Sequence, residues 1–108
     1  MKRLAPLACV LLLAACSPSP DLSSIPDTCG LSANSWMPDD DGITVVTYGV
    51  SPASEDQVQC ILDESGTSQA LKNDIWVEST GRRREEERGL EYSWRWSDKG
   101  LHLIVRPL

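Results

Sequence analysis

The sequence predicts a small α+β domain with an antiparallel sheet: one strand, two short helices, a C-terminal β-hairpin and one disulfide. Three observations lead to this prediction. Apolar and polar residues alternate over 90–96 and 101–106, which is typical of two strands that each bury one face. A capping-box pattern opens a helical repeat at Ser54. The chain has 108 residues, which is room for one domain.

The first 15 residues are typical of an export signal. Lys2 and Arg3 precede a mostly apolar run, Leu4–Leu13, which is shorter than the roughly 20 residues of a membrane-spanning helix. The next motif, Leu13-Ala14-Ala15-Cys16, resembles the lipobox of bacterial lipoproteins. The resemblance implies cleavage before Cys16 and attachment of lipid to its sulfur. An ordinary secretory signal cut near the same place is the alternative.

The resemblance implies a location at the cell membrane, anchored by lipid on the extracytoplasmic side. Removal of the 15 residues leaves 8 basic and 16 acidic side chains, a net charge of −8. Because such a surface repels nucleic acid and anionic lipid, we expect no nucleic-acid partner and membrane attachment through the acyl chains alone. An envelope protein is the expected partner.

Residues 16–28 are predicted to be the lipidated cysteine and a flexible tether, because prolines and serines dominate them. The folded domain is predicted over 29–108. Cys9 leaves with the signal and Cys16 is taken by lipid, so Cys29 and Cys60 are left to pair, and export places them where disulfides persist. A zinc or redox site is disfavoured because the sequence has one histidine and no Cys-x-x-Cys motif.

The middle of the chain is predicted to form a strand and two helices. Ile43–Val50 is rich in β-branched residues and apolar on both faces, which favours a central strand. Ser54 and Gln57 form the capping box of the first helix. Residues 67–77 are predicted to form the second helix, with Thr67 as its cap, and a strand over 74–79 is the alternative.

The C-terminal hairpin has a predicted register. Pairing Trp96 with Leu101 across the turn at 97–100 places the aromatic and apolar residues on one face, whereas a slip of one residue would not. The same register sets Glu91 opposite Arg106. Before the hairpin, residues 82–88 hold four arginines and three glutamates. They are predicted to form a self-neutralising helical turn rather than an anion site.

The candidate binding residues are three aspartates and two tryptophans. Asp39, Asp40 and Asp41 precede Gly42, but the spacing of an EF-hand places Met37 and Tyr48 at ligand positions, so a solvated acidic turn is predicted, with weak cation binding as the alternative. Trp36 and Trp96 are predicted to be exposed contacts, since tryptophans are enriched at binding surfaces. Trp94, at the centre of the hairpin, is predicted to lie in the core.

No motif in the sequence predicts catalysis. His102 is predicted to be a surface residue, because no nucleophile can be paired with it, and phosphate-binding loops, nucleophile elbows and metal triads are missing. We therefore predict no enzyme activity, no cofactor and no metal. The predicted function is that of a non-catalytic interaction module, with binding of a small ligand or a cation as the alternative.

A second resemblance concerns the mature chain. The segments Cys60-Ile61-Leu62, Tyr92-Ser93-Trp94-Arg95-Trp96 and Asp98-Lys99-Gly100-Leu101 resemble those of small exported lipoproteins of actinobacterial type. These place a cysteine in a helix and end with an aromatic hairpin followed by Gly-Leu. The resemblance covers roughly Ile43 to Val105. It implies an extracytoplasmic α+β module and transfers no catalytic residues.

Overall fold

The domain is an α+β fold with one antiparallel sheet. A computed structural model describes residues 22–39, 42–78 and 81–108, and over these ranges it contains three helices and five strands. The strands lie in the order β1-β2-β5-β4-β3. The elements are α1 (Ile25–Thr28), β1 (Trp36–Asp39), β2 (Gly42–Val46), α2 (Glu55–Glu64), α3 (Gln69–Trp76), β3 (Arg82–Glu87), β4 (Leu90–Ser97) and β5 (Gly100–Pro107). The predicted fold class is confirmed, and the two edge strands β1 and β3 are additional to the predicted sheet.

The C-terminal hairpin has the predicted register. Trp96 pairs with Leu101 and Trp94 with Leu103 between β4 and β5. Trp94 is fully buried, as predicted. Because side chains of a strand alternate between the two faces of a sheet, this register places the large apolar side chains of both strands on the face toward the helices. That face is called the inner face below, and the opposite one the outer face.

β2 is a central strand, as predicted, since it pairs with β1 on one side and β5 on the other. It ends at Val46, four residues earlier than predicted. Beyond it, the N–H of Thr47 donates to the carbonyl of Leu101 at 3.0 Å, and the N–H of Ala53 donates back to the carbonyl of Val46 at 2.9 Å. The chain therefore turns over the end of the sheet instead of continuing as a strand.

The two longer helices, α2 and α3, each begin at a capping serine. Ser54 and Gln57 form both bonds of the capping box at the start of α2. α3 is a helix, so the alternative strand over 74–79 is wrong, but it is capped by Ser68 rather than Thr67. Thr67 is buried, and its hydroxyl bonds to that of Tyr92 at 2.7 Å. Its position is thus explained by a contact with the sheet.

One hydrophobic core joins the helices to the inner face. The core cluster contains apolar residues from all three helices and alternate residues of β2, β4 and β5. Among the described helices none buries residues against the outer face. The sheet residues of the core are Ile43, Val45, Leu90, Tyr92, Trp94, Leu101, Leu103 and Val105.

The predicted tether extends too far toward the C-terminus. Leu22 and Ile25 are each only 3% exposed, and both belong to the core cluster. Ile25 is the first residue of α1, which the proline-containing segment IPDT forms. Two large apolar residues are enough to dock this short segment on a core supplied by the rest of the chain, so the folded domain begins no later than Leu22.

The charged segment 82–87 is a strand, and its prediction as a helical turn is wrong. It pairs along its length with β4. Arg88 and Gly89 connect the two strands with φ angles of 53° and 80°, the left-handed conformation that two-residue hairpins of type I′ require. On the inner face, Arg83 lies 5.6 Å above the Trp94 ring, and Glu87 accepts hydrogen bonds from the N–H and hydroxyl of Ser68. Backbone pairing and these contacts together override the helical charge pattern.

Candidate functional site

The two mature-domain cysteines are bonded as predicted. Cys29 and Cys60 form a disulfide with their Cα atoms 5.6 Å apart. It connects the segment after α1 to α2, and the side-chain amide of Gln57 adds a hydrogen bond to the carbonyl of Gly30 at 2.9 Å. Cys16 lies outside the described residues, so its lipidation stays a prediction.

The predicted binding residues do not form one group. Trp36 lies in β1 and Trp96 in β4. Both are half-buried and pack partly against the core, so neither is the exposed residue that was predicted. The indole N–H of Trp96 donates to the carbonyl of Ile75 at 2.8 Å, and its ring is 6.2 Å from that of Trp76. Asp39 is the last residue of β1. Asp40 and Asp41 lie outside the described residues, and the weak cation site stays a prediction.

The outer face holds a group of matched charges at one end. Glu91 is buried and lies opposite Arg106, as predicted, accepting a hydrogen bond from that guanidinium at 2.8 Å. Arg84 reaches its second carboxylate oxygen at 3.1 Å and lies 3.6 Å from Glu86. Acid and base thus balance each other in this part of the face.

A row of three basic side chains crosses the other end of the outer face. Arg82 pairs with Arg95 across β3 and β4, and Arg95 pairs with His102 across β4 and β5. A guanidinium N–H group of Arg82 lies 2.9 Å from Nδ1 of His102, and another donates to the hydroxyl of Ser93 at 2.8 Å. Within the described ranges, neither arginine has a carboxylate partner. We call Arg82, Arg95 and His102 the basic row.

A cavity of about 230 Å³ lies over the basic row. Besides these three residues it is lined by Tyr48 and Ser97. The Ser97 hydroxyl is bonded within the hairpin turn, where it donates to the carbonyl of Gly100 at 3.4 Å and accepts from the N–H of Lys99 at 3.2 Å. All five side chains are polar.

Tyr48 is held over the sheet by the segment that follows β2. The hydroxyl of Thr47 accepts a hydrogen bond from the N–H of Leu101 at 2.9 Å. Gly100 permits this approach, because a Cβ there would lie 2.5 Å from the Thr47 hydroxyl oxygen and 3.3 Å from the Tyr48 ring.

The protonation of His102 follows from its neighbours. A guanidinium can only donate, so Nδ1 accepts from Arg82 and the ring proton lies on Nε2, which remains a donor. Burial lowers the pKa of His102 below its ordinary value, and the charges of Arg82 and Arg95 lower it further. His102 is therefore neutral at pH 7, and the fixed charge of the row belongs to the two arginines.

Sequence reasoning found part of this row and missed the rest. The hairpin register already sets Arg95 beside His102 on the outer face, but the contact between Arg82 and His102 was not predicted. Arg82 was missed because 82–88 was predicted to be helical. The available signal was Gly89, which marks a tight connection to the alternating strand that follows it.

The described residues contain no group of three or more His, Cys, Asp or Glu side chains that could hold a metal ion. No helix in the described ranges is both long and apolar enough to cross a membrane. No protein-family model matches the sequence, and no curated protein or solved structure matches it.

Proposed function

We propose that this protein is a lipid-anchored extracytoplasmic lipoprotein whose domain is a non-catalytic interaction module. The lipobox-like motif supports the anchor, with Cys16 as the lipidated residue. The Cys29–Cys60 disulfide supports an extracytoplasmic location, because disulfides persist in oxidising compartments. The partner is an envelope component reached from the outer leaflet of the membrane to which the protein is attached.

The observation that supports an interaction module most directly is the outer face of the sheet. The described helices all pack on the inner face, so the outward side chains of the strands, Arg84 and Arg106 among them, are presented together. The buried carboxylate of Glu91 and its arginine partners give this face a defined surface. A sheet face that no described helix covers presents its contact residues already ordered, which lowers the entropy cost of binding.

The anchor is tested by Cys16→Ala in the full chain. We expect the variant to leave the membrane fraction, because no acyl chain can then be attached, and acyl chains supply about 0.8 kcal/mol per buried CH₂ group. Fractionation followed by immunoblotting measures this. Cys9→Ala is the matched control and should stay with membranes, as Cys9 is predicted to leave with the signal. Continued membrane association of Cys16→Ala contradicts lipid anchoring.

The interaction module is tested by site-specific photocrosslinking in intact cells. A photoreactive amino acid is placed at Met37, which is exposed on the outer face, and at Asp56, exposed on α2. We expect a discrete adduct from Met37 and none from Asp56. Equal adducts from both positions, or none from either, contradict an interaction through the outer face.

A further inference from the structure

The basic row is an unbalanced charge in an acidic protein. The whole chain has a net charge of −6, and at the matched end of the outer face Arg84 and Arg106 are both paired with Glu91. Arg82 and Arg95 instead lie directly opposite each other on β3 and β4. Like charges in opposing positions of an antiparallel pair destabilise it. A bound anion would remove this cost.

Hydrogen-bond donors meet in the cavity over the row. The side chain of Arg95 has no hydrogen bond or ion pair with a described residue, so its five guanidinium N–H groups are available. His102 and Tyr48 line the same cavity, and Nε2–H of the first and the hydroxyl of the second are further donors. Two N–H groups of Arg82 already donate, one to Ser93 and one to Nδ1 of His102, and these bonds hold its guanidinium in place. The ring of His102 is kept neutral, so its Nε2 donates without adding charge.

We propose that this cavity binds a phosphate group, with Arg95 and Arg82 supplying the charge and His102 and Tyr48 further hydrogen bonds. Two guanidiniums match the charge of a phosphate dianion, whereas a carboxylate carries a single charge and two oxygens. The donors outnumber the lone pairs of a carboxylate and suit the oxygens of a phosphoryl group. A cavity of about 230 Å³ has room for that group and a small part of its substituent.

The phosphate site does not depend on the membrane anchor. A result that excludes phosphate binding therefore leaves the proposed lipid anchoring untouched, and the reverse also holds. The phosphate group could belong to a soluble phosphorylated compound or to a phospholipid headgroup, and both offer the same chemistry to the row. The net negative charge of the protein opposes approach to an anionic membrane.

The test is an NMR titration of the full chain with inorganic phosphate. We expect saturable shifts of the amide signals of 82, 95, 97 and 102 and of the imidazole of His102. Arg95→Gln should weaken binding about tenfold or more, because it removes charge-assisted hydrogen bonds. Arg82→Gln should weaken it to a similar degree. Lys99→Gln removes the same charge from the nearby exposed turn and should leave the affinity within about twofold, since exposed charges are screened by salt.

Several results would overturn the site. No saturable shift at tens of millimolar phosphate excludes it. Equal weakening by Lys99→Gln and Arg95→Gln indicates diffuse attraction of anions instead of a cavity. Binding of acetate as tightly as phosphate contradicts a phosphate-specific site. Because Arg95 is exposed and its charge lies opposite that of Arg82, Arg95→Gln should keep or raise the wild-type thermal unfolding midpoint, so loss of binding can be separated from loss of folding.

The source of the phosphate group is decided by a second arm of the experiment. Cys16→Ala protein is sedimented with vesicles of phosphatidylglycerol and with vesicles of phosphatidylcholine. Retention that is lost on Arg95→Gln identifies a phospholipid headgroup. Binding of inorganic phosphate without retention on either vesicle identifies a soluble phosphorylated compound. Retention on phosphatidylglycerol that is unchanged by Arg95→Gln, combined with no phosphate binding in solution, overturns the proposal.

Discussion

Replacing Cys29 and Cys60 together with serine should lower the free energy of unfolding by about 3 to 4 kcal/mol. The crosslink closes a loop with a sequence separation of 31 residues, and losing it returns that loop entropy to the unfolded chain. Two serines in place of the bridge also release the segment after α1 from α2. Urea denaturation followed by tryptophan fluorescence measures the change.

Two controls isolate the effect of the disulfide. Wild-type protein unfolded in the presence of a reducing agent should match the double variant, because both lack the same crosslink. Asn34→Ala changes an exposed residue of the same segment and should change stability by less than about 0.5 kcal/mol. A double variant within about 1 kcal/mol of oxidised wild type would show that the bridge does not stabilise the fold.

Trp94→Ala should cost about 3 to 5 kcal/mol, because it leaves a large cavity at the centre of the core. Trp94 is fully buried, and Arg83 lies over its ring. Trp94→Phe should cost much less. The indole N–H of Trp94 has no hydrogen-bond partner among the described residues, so phenylalanine removes a buried polar group that nothing satisfies.

Trp96→Phe is the matched comparison for Trp94→Phe. The indole N–H of Trp96 donates to the carbonyl of Ile75 at 2.8 Å, so this variant loses a hydrogen bond worth about 1 kcal/mol in addition to ring volume. Thermal and urea unfolding of the two variants measure the difference. If Trp94→Phe lowers the free energy of unfolding more than Trp96→Phe does, the N–H of Trp94 has a hydrogen-bond partner in solution.

The hairpin shows what a sequence pattern can predict. Its alternation of apolar and polar residues allowed one register in which Trp94 and Leu103 share the buried face, and the structure has that register. The capping box of α2 was equally predictable, since Ser54 and Gln57 satisfy backbone groups within four residues of each other. Both are local features whose partners lie a few residues away or across one turn.

The N-terminal segment and β3 could not be predicted in the same way. Leu22 and Ile25 are too few to suggest a folded segment, and they are buried only because a core from distant residues receives them. Arg82 to Glu87 has the charge spacing of a helical turn. Its backbone became a strand because β4 offers an unpaired edge and because Ser68 and Trp94 provide partners for the side chains on its inner face.

The sequence by itself determined the α+β class, the disulfide pair, the central strand and the hairpin register, because hydrophobic alternation and local capping act over short distances. Only the tertiary structure decided where the functional surface lies. The basic row exists because three strands set Arg82, Arg95 and His102 side by side, and two of these residues are 20 positions apart in the chain. Which charges meet in a sheet depends on strand order, and no local pattern encodes that order.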